Sequence, residues 1–389
     1  MRRLGYLSGA PRVTTRDDAE LAGPRAHVLG VIDGFEAAGW TVQRFIVGDR
    51  LPTMVARDGE RFVRRGWLST VAADGARLAM RPRSARAAWR GMRGQVDWVY
   101  ERFALFQALG RPFARRDGVP WVLETNALLS DEAQRERSSV VLHTLARRLE
   151  QEAYLACDVV VAVSAELAER LATSFAIPRR KIVVVPNGVD TARFDPALTT
   201  PRRVTDAFTV VFAGSLAPWQ GLDTLLRAMG AGVHVVIAGE GPARAALEAL
   251  AGERGVADRV HFLGRVAPSD VPALLAGADV CYVGHTDGDQ ASAFRSPLKL
   301  YEYLAMGKPV ISSAVPDAVA AIVPGETGWL FPAGDVMALS HVLAAAEGAR
   351  PCLAAMGEQA RREAMQHSWR ARVQQMIADV DIVLDGVGR

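Results

Sequence analysis

Residues 294–313, FRSPLKLYEYLAMGKPVISS, contain a predicted helix followed by a predicted strand. Ser296 is the predicted N-cap, because a serine hydroxyl can accept a hydrogen bond from the first helical turn. Pro297 suits the first helical position, where an N–H group has no intrahelical partner. Gly307 predicts the helix end. The apolar residues 310–311 then predict a buried parallel strand, so the stretch favours an α/β fold.

The first turns of this helix are predicted to bind a ligand. A helix N-terminus presents free N–H groups and a positive dipole end to an anion. Lys299, Glu302 and Tyr303 are three and four residues apart, so they can share one helix face. Ser296 and Leu298 are assigned to the same site. A cation beside a carboxylate suits a ligand with a phosphate and hydroxyl groups, such as a nucleotide sugar. A solvated ion pair is the alternative.

The sequence SPLKLYEYLAMGKPVI resembles the donor-binding segment of glycosyltransferase family 4, which comprises retaining enzymes of the GT-B fold. In that family a Glu-x7-Glu pattern occupies this segment, and its second Glu binds the nucleotide ribose. Glu302 matches the second Glu, whereas Phe294 occupies the position of the first. The resemblance implies two Rossmann-like, doubly wound α/β domains that face each other across a cleft. It also implies a nucleotide-diphosphate sugar as donor substrate, with no cofactor and no metal.

The second half of the chain alternates strands and helices, as a doubly wound parallel sheet requires. Its predicted strands are Thr209–Ala213, His234–Ala238, Val260–Leu263, Val280–Val283, Val310–Ser313 and Trp329–Phe331. Glycines end or follow the first three, which allows backbone to approach a base or phosphate closely. Gly214, Gly239 and Gly264 are therefore predicted donor-binding residues, together with Arg265 and Val266. In the family, the segment matching these last residues binds the base through backbone groups.

Family members usually carry an Arg and a Lys after the first strand of this domain, and both face the diphosphate. Ser215 and Gln220 occupy those positions here, so we expect them to supply neutral hydrogen bonds only. A departing diphosphate needs positive charge nearby. We therefore predict that Lys299 contacts the diphosphate and that Arg295 assists. The alternative is that Lys299 pairs with its own helix neighbours, Glu302 among them.

The first half of the chain is predicted to bind the acceptor. Its predicted strands are Leu4–Ser8, Thr41–Val47, Trp98–Arg102, Trp121–Asn126, Asp158–Val163 and Lys181–Val185. Ligand groups lie at the carboxyl ends of such strands. Arg102 and Glu124 are therefore candidate acceptor contacts, with His27 from the first helix. Asn126, where many family members carry a histidine, is a candidate catalytic residue. A strand-end hydrogen-bond network is the alternative for these residues.

Three segments are predicted to divide the chain. Residues 1–197 form the N-terminal acceptor-binding domain, which ends at the PNGVD…FDP sequence typical of the family. Residues 198–365 form the C-terminal nucleotide-sugar-binding domain. Residues 366–389 form a helix that crosses back to the first domain. Helices are also expected at Phe103–Arg116 and from Asp131 to Ala156.

Composition and charge narrow the function classes. No apolar run is long enough for a membrane span or signal peptide, so a cytoplasmic protein with three buried, reduced cysteines is expected. Residues 57–93 carry ten arginines and three acidic residues. This excess predicts peripheral contact with the inner face of an anionic membrane, or with a phosphorylated acceptor. A solvated surface is the alternative. Nucleic acid is not expected, because no recognition motif accompanies the charge.

The predicted reaction is transfer of a hexose or amino-hexose from a nucleotide-diphosphate sugar, first a UDP-sugar, to an acceptor hydroxyl. The acceptor is expected to be lipid-linked or part of a cell-surface glycan. A small secondary metabolite such as an aminocyclitol is the alternative acceptor. Two other classes stay open: a nucleotide-sugar epimerase and a non-catalytic nucleotide-sugar-binding subunit. Asp287-Gly288-Asp289 resembles the Asp-x-Asp of metal-dependent transferases, but a lone short match in a polar loop does not predict a metal site.

Overall fold

The computed structural model describes residues 1–16, 23–52, 66–135, 139–286 and 296–386. The chain forms two compact units. The first combines Met1–Asn187 with Trp369–Arg389, and the second is Gly188–Ser368. The boundary thus lies inside the PNGVD sequence rather than at 197–198. The reason is that Val189 and Phe194 are buried in a hydrophobic core of the second unit.

The first unit contains a parallel sheet with the strand order β2-β1-β3-β4-β5-β6. Its strands are β1 Arg3–Ser8, β2 Thr41–Ile46, β3 Trp98–Arg102, β4 Trp121–Thr125, β5 Val159–Ala162 and β6 Ile182–Val184. Its first helices are α1 Gly23–Ala37, α2 Trp67–Met92, α3 Leu129–Arg135, α4 His143–Ala156 and α5 Ala165–Phe175. The six predicted strands are confirmed, with ends that differ by one residue at most. The valine-rich run of β5 is buried throughout, as a strand covered on both faces requires.

The predicted helix at Phe103–Arg116 is wrong. This segment is largely irregular and closes with a single π-helical turn at Phe113–Asp117. The buried Glu101 carboxylate accepts the backbone N–H groups of Leu109 and Gly110, at 2.8 Å each. A carboxyl group that accepts two consecutive N–H groups holds them in a loop instead of an α-helical ladder.

The single long helix predicted from Asp131 to Ala156 is also wrong, because the chain breaks between α3 and α4. Asp74 of α2 is buried, and its carboxylate accepts the backbone N–H groups of Val141 at 2.8 Å and Leu142 at 3.1 Å. These groups belong to the residues just before α4, so Asp74 caps the start of that helix from another element. The contact also fixes α2, which is 26 residues long and contains Pro82.

The second unit contains a parallel sheet with the strand order β12-β11-β10-β7-β8-β9. Its strands are β7 Phe208–Ala213, β8 Val233–Ala238, β9 Val260–Gly264, β10 Val280–Val283, β11 Val310–Ser313 and β12 Gly328–Phe331. Its helices are α6 Leu222–Ala228, α7 Arg244–Glu253, α8 Val271–Ala276, α9 Leu298–Ala305, α10 Pro316–Ala321, α11 Val336–Gly348 and α12 Leu353–Gln366. All six strands predicted for this half are confirmed.

Strand β7 lies at the centre of the second sheet. Val210 and Phe212 belong to one hydrophobic cluster, whereas Val211 belongs to the other, so alternate side chains enter opposite cores. The strand pairs with β10 on one side and β8 on the other. The winding of the chain therefore reverses between β7 and β10. Open α/β sheets bind ligands at the carboxyl ends of the strands at such a switch point.

The expectation of three buried cysteines is correct for two of them. Cys157 and Cys281 are buried, and burial raises the pKa of each thiol to about 12. Cys352 is exposed, because it lies in the short turn that precedes α12. Within the described ranges, no helix has both the length and the apolar character required to cross a membrane.

The last helix, α13 Trp369–Gly386, packs against α1 in the first unit. Two glycines of α1 make this close contact possible. A Cβ atom on Gly30 would overlap the indole of Trp369, and one on Gly34 would lie 2.6 Å from Cγ2 of Val373. The helix pair therefore depends on the absence of side chains at these two positions.

We predict that Gly30→Ala destabilises the protein although alanine is the better helix former. Overpacking of a close helix contact costs about 1–3 kcal/mol. Gly75→Ala is the matched control, since Gly75 lies in α2 with no atom within 4 Å of the added Cβ. That change should stabilise the protein by about 0.5–1 kcal/mol. Urea unfolding midpoints measure both effects, and an unchanged or raised midpoint for Gly30→Ala would contradict the packing.

Candidate functional site

The candidate site of the second unit is built where β7, β8 and β9 end. The N–H of Gly214 donates to the carbonyl of Ala238 at 2.9 Å, and the N–H of Gly239 donates to that of Gly264 at 2.7 Å. Backbone pairing therefore continues beyond the strands into the loops. A Cβ atom on Gly239 would overlap the carbonyl oxygen of Gly214. The predicted glycines thus allow the loops to approach each other, and their contact with a ligand stays a prediction.

Lys299 of α9 points toward this edge of the sheet. Its Nζ donates to Oε1 of Gln220 at 2.9 Å and lies 4.1 Å from the ring centroid of Phe212. The ammonium also faces Gly214, where an added Cβ would lie 3.0 Å from Nζ. Lys299 is therefore directed at the end of β7, and its hydrogen bond goes to Gln220 rather than to a neighbour on its own helix. Burial lowers the pKa of Lys299 to about 7, an effect that Glu302 opposes.

Glu302 follows Lys299 by almost one turn of α9. Burial raises the pKa of its carboxyl, whereas the positive charges of Arg193 and Lys299 lower it. Among the described residues, none donates a hydrogen bond to this carboxylate. The carboxylate oxygens are therefore available to hydroxyl groups of a ligand. A partly buried acceptor that receives no hydrogen bond lowers the stability of the fold, and a ligand hydroxyl that donates to it removes this cost.

Arg193 is a member of this charged group that the sequence analysis did not assign. It lies in the PNGVD…FDP segment, where Oδ1 of Asp190 accepts its backbone N–H at 3.0 Å and fixes the turn. The Arg193 guanidinium donates to the carbonyl of Pro268 at 2.6 Å. The sequence shows that this segment resembles the family. The spacing of its residues does not predict that Arg193 lies near Glu302.

The prediction that Ser296 is the N-cap of the helix is wrong. Pro297 occupies the N-cap position and makes no side-chain cap. The Ser296 hydroxyl instead donates to Oδ2 of Asp317 at 3.0 Å, and the Tyr301 hydroxyl donates to Oδ1 at 2.7 Å. A charged acceptor makes a stronger hydrogen bond than a neutral one, so it competes successfully for the hydroxyl. Asp317 at the start of α10 therefore anchors α9, a role without a sequence signal.

Tyr303 also holds α9 in place. Its hydroxyl oxygen accepts the backbone N–H of Ala213 at 2.8 Å and donates to the carbonyl of the same residue at 3.1 Å. Tyr303 is buried and connects the helix to the end of β7.

Lys308 has a comparable structural role, since its ammonium donates to the carbonyls of Ala276 and Ala278. Of the three lysines in the chain, Lys299 is thus the one directed at the candidate site.

The other predicted donor residues lie around this edge. Ser215 and Arg265 are exposed, and Leu298 and Val266 are partly buried. The predicted residue Arg295 lies outside the described residues, as do Phe294 and the Asp-x-Asp sequence at 287–289. The described residues contain no group of three or more His, Cys, Asp or Glu side chains arranged to bind a metal ion.

The predicted acceptor residues of the first unit converge on Glu124 at the end of β4. His27 Nε2 lies 2.6 Å from its Oε1, the Tyr100 hydroxyl donates to Oε2 at 2.8 Å, and the Asn126 amide donates to Oε1 at 3.3 Å. Burial by itself would raise the pKa of Glu124. His27, Arg102 and Tyr100 outweigh that effect and lower it below its ordinary value. Glu124 is therefore an ionised carboxylate inside a polar network.

The centre of this network, Glu124 with His27, is closed to solvent. Glu124 is 2% exposed and His27 is 4% exposed. The adjoining cavity is also lined by Tyr100 and Trp369 and measures about 10 Å³, room for one water molecule at most. For Glu124 and His27 the structure thus agrees with the alternative, a strand-end hydrogen-bond network. Arg102 and Asn126 are partly exposed and remain the candidates for direct acceptor contact.

Two family models match the chain. The model described as Glycosyltransferase Family 4 matches residues 22–193, and the model described as Glycosyl transferases group 1 matches residues 207–346. Together they cover most of both units.

Two curated relatives illustrate the sequence similarity. The GDP-mannose-dependent alpha-(1-6)-phosphatidylinositol monomannoside mannosyltransferase of Mycobacterium tuberculosis is 34% identical over 226 residues, which cover 55% of this chain and 58% of the relative. A D-inositol 3-phosphate glycosyltransferase of Streptomyces avermitilis is 28% identical over 311 residues, which cover 72% of this chain and 64% of the relative. The chain thus spans about three fifths of the length of these relatives.

Solved structures share the fold along almost the whole chain. The sucrose-phosphate synthase of Thermosynechococcus elongatus superposes with a TM-score of 0.72 at 18% identity, covering 99% of this chain and 100% of that one. The catalytic domain of Arabidopsis thaliana starch synthase IV gives 0.71 at 12% identity, covering 99% of both chains. An Anabaena HepE protein in complex with UDP gives 0.66 at 19% identity, covering 97% and 99%. At these identities the likeness shows the GT-B fold.

The Lys299 environment predicts a pH-dependent affinity for nucleoside diphosphates. Because burial lowers its pKa to about 7, the free protein loses this positive charge as the pH rises above that value. A bound diphosphate favours the charged ammonium, so binding at higher pH takes up a proton. The affinity for UDP or GDP should fall by up to about tenfold per pH unit between about pH 7.5 and 9.

Calorimetric titration at several pH values measures this dependence. Lys299→Met is the control, because the titration of the nucleotide itself is common to both proteins. The variant should lack the additional loss of affinity at high pH. Equal pH profiles for the two proteins would exclude Lys299 from the diphosphate site.

Proposed function

The chain belongs to glycosyltransferase family 4, and on that basis we propose that it transfers a sugar from a nucleotide-diphosphate donor to an acceptor hydroxyl with retention of configuration. One observation carries the proposal. Lys299, with a lowered pKa, and Glu302, without a hydrogen-bond donor among the described residues, lie one turn apart on α9 beside the glycine-lined end of β7. A cation and an acceptor at this spacing match the diphosphate and the ribose of such a donor.

In the proposed reaction the bond between the anomeric carbon and the diphosphate oxygen breaks. A new bond forms between that carbon and the acceptor oxygen, and the acceptor proton leaves with the nucleoside diphosphate. Negative charge grows on the diphosphate during this step, so a nearby ammonium lowers the barrier. Lys299 supplies that charge, and its present acceptor, Gln220, holds it next to Gly214.

The rest of the donor is proposed to bind along the same sheet edge. The Glu302 carboxylate accepts hydrogen bonds from the ribose hydroxyls. The base lies against the backbone of Gly264, Arg265 and Val266, where the left-handed φ of +67° at Gly264 turns the chain away from β9. Gly239 carries no side chain, which lets the loop after β8 pass close to the carbonyl of Gly214.

A lipid-linked or phosphorylated acceptor is proposed, with the protein acting in the cytoplasm at an anionic membrane surface. Two relatives are named for phosphatidylinositol monomannoside and for D-inositol 3-phosphate. Helix α2 of this chain carries several arginines, and Trp67 and Leu68 at its start are 67% and 75% exposed. Residues 57–65 of the predicted basic segment lie outside the described residues. Sedimentation with anionic vesicles at low salt tests the contact, and protein that stays in the supernatant would contradict it.

A panel of donors, including GDP-mannose and UDP-glucose, tests the reaction by the release of nucleoside diphosphate with candidate acceptors present. Release that requires an acceptor supports transfer. Interconversion of the donor sugar without an acceptor would instead indicate an epimerase. Tight nucleotide binding without any turnover would favour the non-catalytic subunit.

Glu302→Gln should weaken nucleoside diphosphate binding. A hydrogen bond to a charged group contributes roughly 1.5–3 kcal/mol, so the dissociation constant should rise by about tenfold or more. Glu253→Gln, an exposed position at the end of α7, is the control for the loss of one carboxylate. Calorimetry decides the question, and unchanged affinity in the Glu302 variant would remove this residue from the ribose site.

Lys299→Met should lower turnover far more than it changes the Michaelis constant. Loss of one charge-stabilising group in the transition state costs about two decades in turnover number. Lys181→Met removes the same charge from the first unit and should have little effect. Because Gln220 contacts the Lys299 ammonium, Gln220→Lys in the Lys299→Met background should restore part of the rate. Normal turnover in the single variant would refute the role of Lys299.

A further inference from the structure

The first unit contains a second cavity, away from Glu124, which we call the arginine pocket. It lies between α2 and the segment that precedes β4 and has a volume of about 280 Å³. Small-molecule sites measure roughly 300–1,000 Å³, so its size suits a small group or part of a larger ligand. Its lining residues are Arg81, Pro82 and Ala85 from α2, with Ala108, Arg111, Pro112, Arg115 and Arg116 from the facing segment. Half of these side chains are guanidinium groups.

Arg81 and Arg111 are partly buried in this pocket without an ion-pair partner among the described residues. The Nε atom of Arg111 is buried and donates no hydrogen bond to any residue that the structure describes. Burial and the charge of Arg111 both lower the pKa of Arg81. Two like charges held together in a cavity repel each other, and their unpaired donors cost free energy until an acceptor arrives.

The nearest carboxylates are engaged elsewhere. Glu101 and Glu152 both act electrostatically on Arg81. The two oxygens of Glu101 accept backbone N–H groups of Leu109 and Gly110. Glu152 pairs with Arg148 at 3.2 Å on α4. Glu101 and Glu152 thus act on Arg81 from a distance, and among the described residues no carboxylate forms an ion pair with Arg81 or Arg111.

Two contacts are made at the rim of the pocket. Trp89 donates from Nε1 to Oδ2 of Asp117 at 2.8 Å. The Arg116 guanidinium carbon lies 4.7 Å from the centre of the same indole ring. Arg115 is exposed beside it. Arg115 and Arg116 thus both lie at the opening of the pocket, and the Arg116 guanidinium also packs over the Trp89 ring.

We propose that the arginine pocket binds a phosphate group, carried either by a phospholipid headgroup or by a free phosphorylated small molecule. Guanidinium groups present a planar set of donors that matches phosphate oxygens. A phosphate monoester carries nearly two negative charges near neutral pH and can neutralise two guanidinium groups, whereas a carboxylate or a phosphodiester carries one. This site lies in the first unit and does not depend on the proposed donor site of the second.

The test compares two double variants of α2 and its partner segment. Arg81→Gln with Arg111→Gln removes the two partly buried pocket charges. Arg86→Gln with Arg90→Gln is the matched control, because both residues are exposed on α2 and do not line the pocket. Inorganic phosphate is titrated by calorimetry. Vesicles of phosphatidylcholine with and without phosphatidylglycerol are tested by sedimentation.

The pocket variant should bind inorganic phosphate about tenfold more weakly than the native protein, a difference of roughly 1.4 kcal/mol, and the control variant should not. For a lipid phosphate, the pocket variant also loses binding to phosphatidylglycerol vesicles while the control retains most of it. For a soluble phosphate, the two variants lose vesicle binding equally. Equal effects of both variants on phosphate and on vesicles would overturn the proposal in favour of a diffuse basic surface.

Melting temperatures distinguish a loss of phosphate binding from a loss of folding. Removal of the repulsion between Arg81 and Arg111 should leave the melting temperature in phosphate-free buffer equal to or above that of the native protein. Added phosphate should raise the melting temperature of the native protein and of the control more than that of the pocket variant. If the double variant fails to fold, Arg115→Gln at the exposed rim repeats the titration, and unchanged phosphate affinity there would count against the pocket.

Discussion

Backbone hydrogen bonds between the loops after β7, β8 and β9 are the constraint on which the candidate donor site depends. They form only because Gly239 carries no side chain where it passes the carbonyl of Gly214. Tyr303 then holds α9 against the end of β7 through both backbone groups of Ala213. The positions of Lys299 and Glu302 follow from these contacts, because both residues lie on the helix that Tyr303 and Asp317 hold in place.

Burial gives these two charged residues properties that they would not have in water. The environment disfavours the charged form of each, which lowers the pKa of Lys299 and raises that of Glu302. Their mutual attraction opposes both shifts, and Arg193 further opposes the shift of Glu302. The protonation states of Lys299 and Glu302 therefore depend strongly on any further charge placed beside them. A diphosphate near Lys299 therefore gains more from the interaction than it would at an exposed lysine.

In the first unit, the effect of burial on a charged side chain depends on the hydrogen-bond donors and charges around it. Glu124 is surrounded by donors that compensate its charge, so it stays ionised although it is almost inaccessible. Glu101 is equally buried, and its two backbone donors do not offset the loss of solvation, so its pKa rises to about 7. The arginine pocket is the opposite case, since Arg81 and Arg111 have no ion-pair partner among the described residues. A polar cluster that is already satisfied serves the fold, whereas one that is unsatisfied is open to a ligand.

The sequence determined the sheet architecture and the family. All twelve strands were predicted, because parallel strands covered on both faces read as short apolar runs between helices and glycines. It also predicted that Lys299 and Glu302 share one helix face, because they lie three residues apart on a helix. It did not determine the break between α3 and α4, the hydrogen bonds of Ser296 or the enclosure of Glu124. Each of these rests on a partner distant in the chain, Asp74, Asp317 or His27. Local periodicity reports which face of an element is buried, but only the tertiary structure decides which polar group meets which partner there.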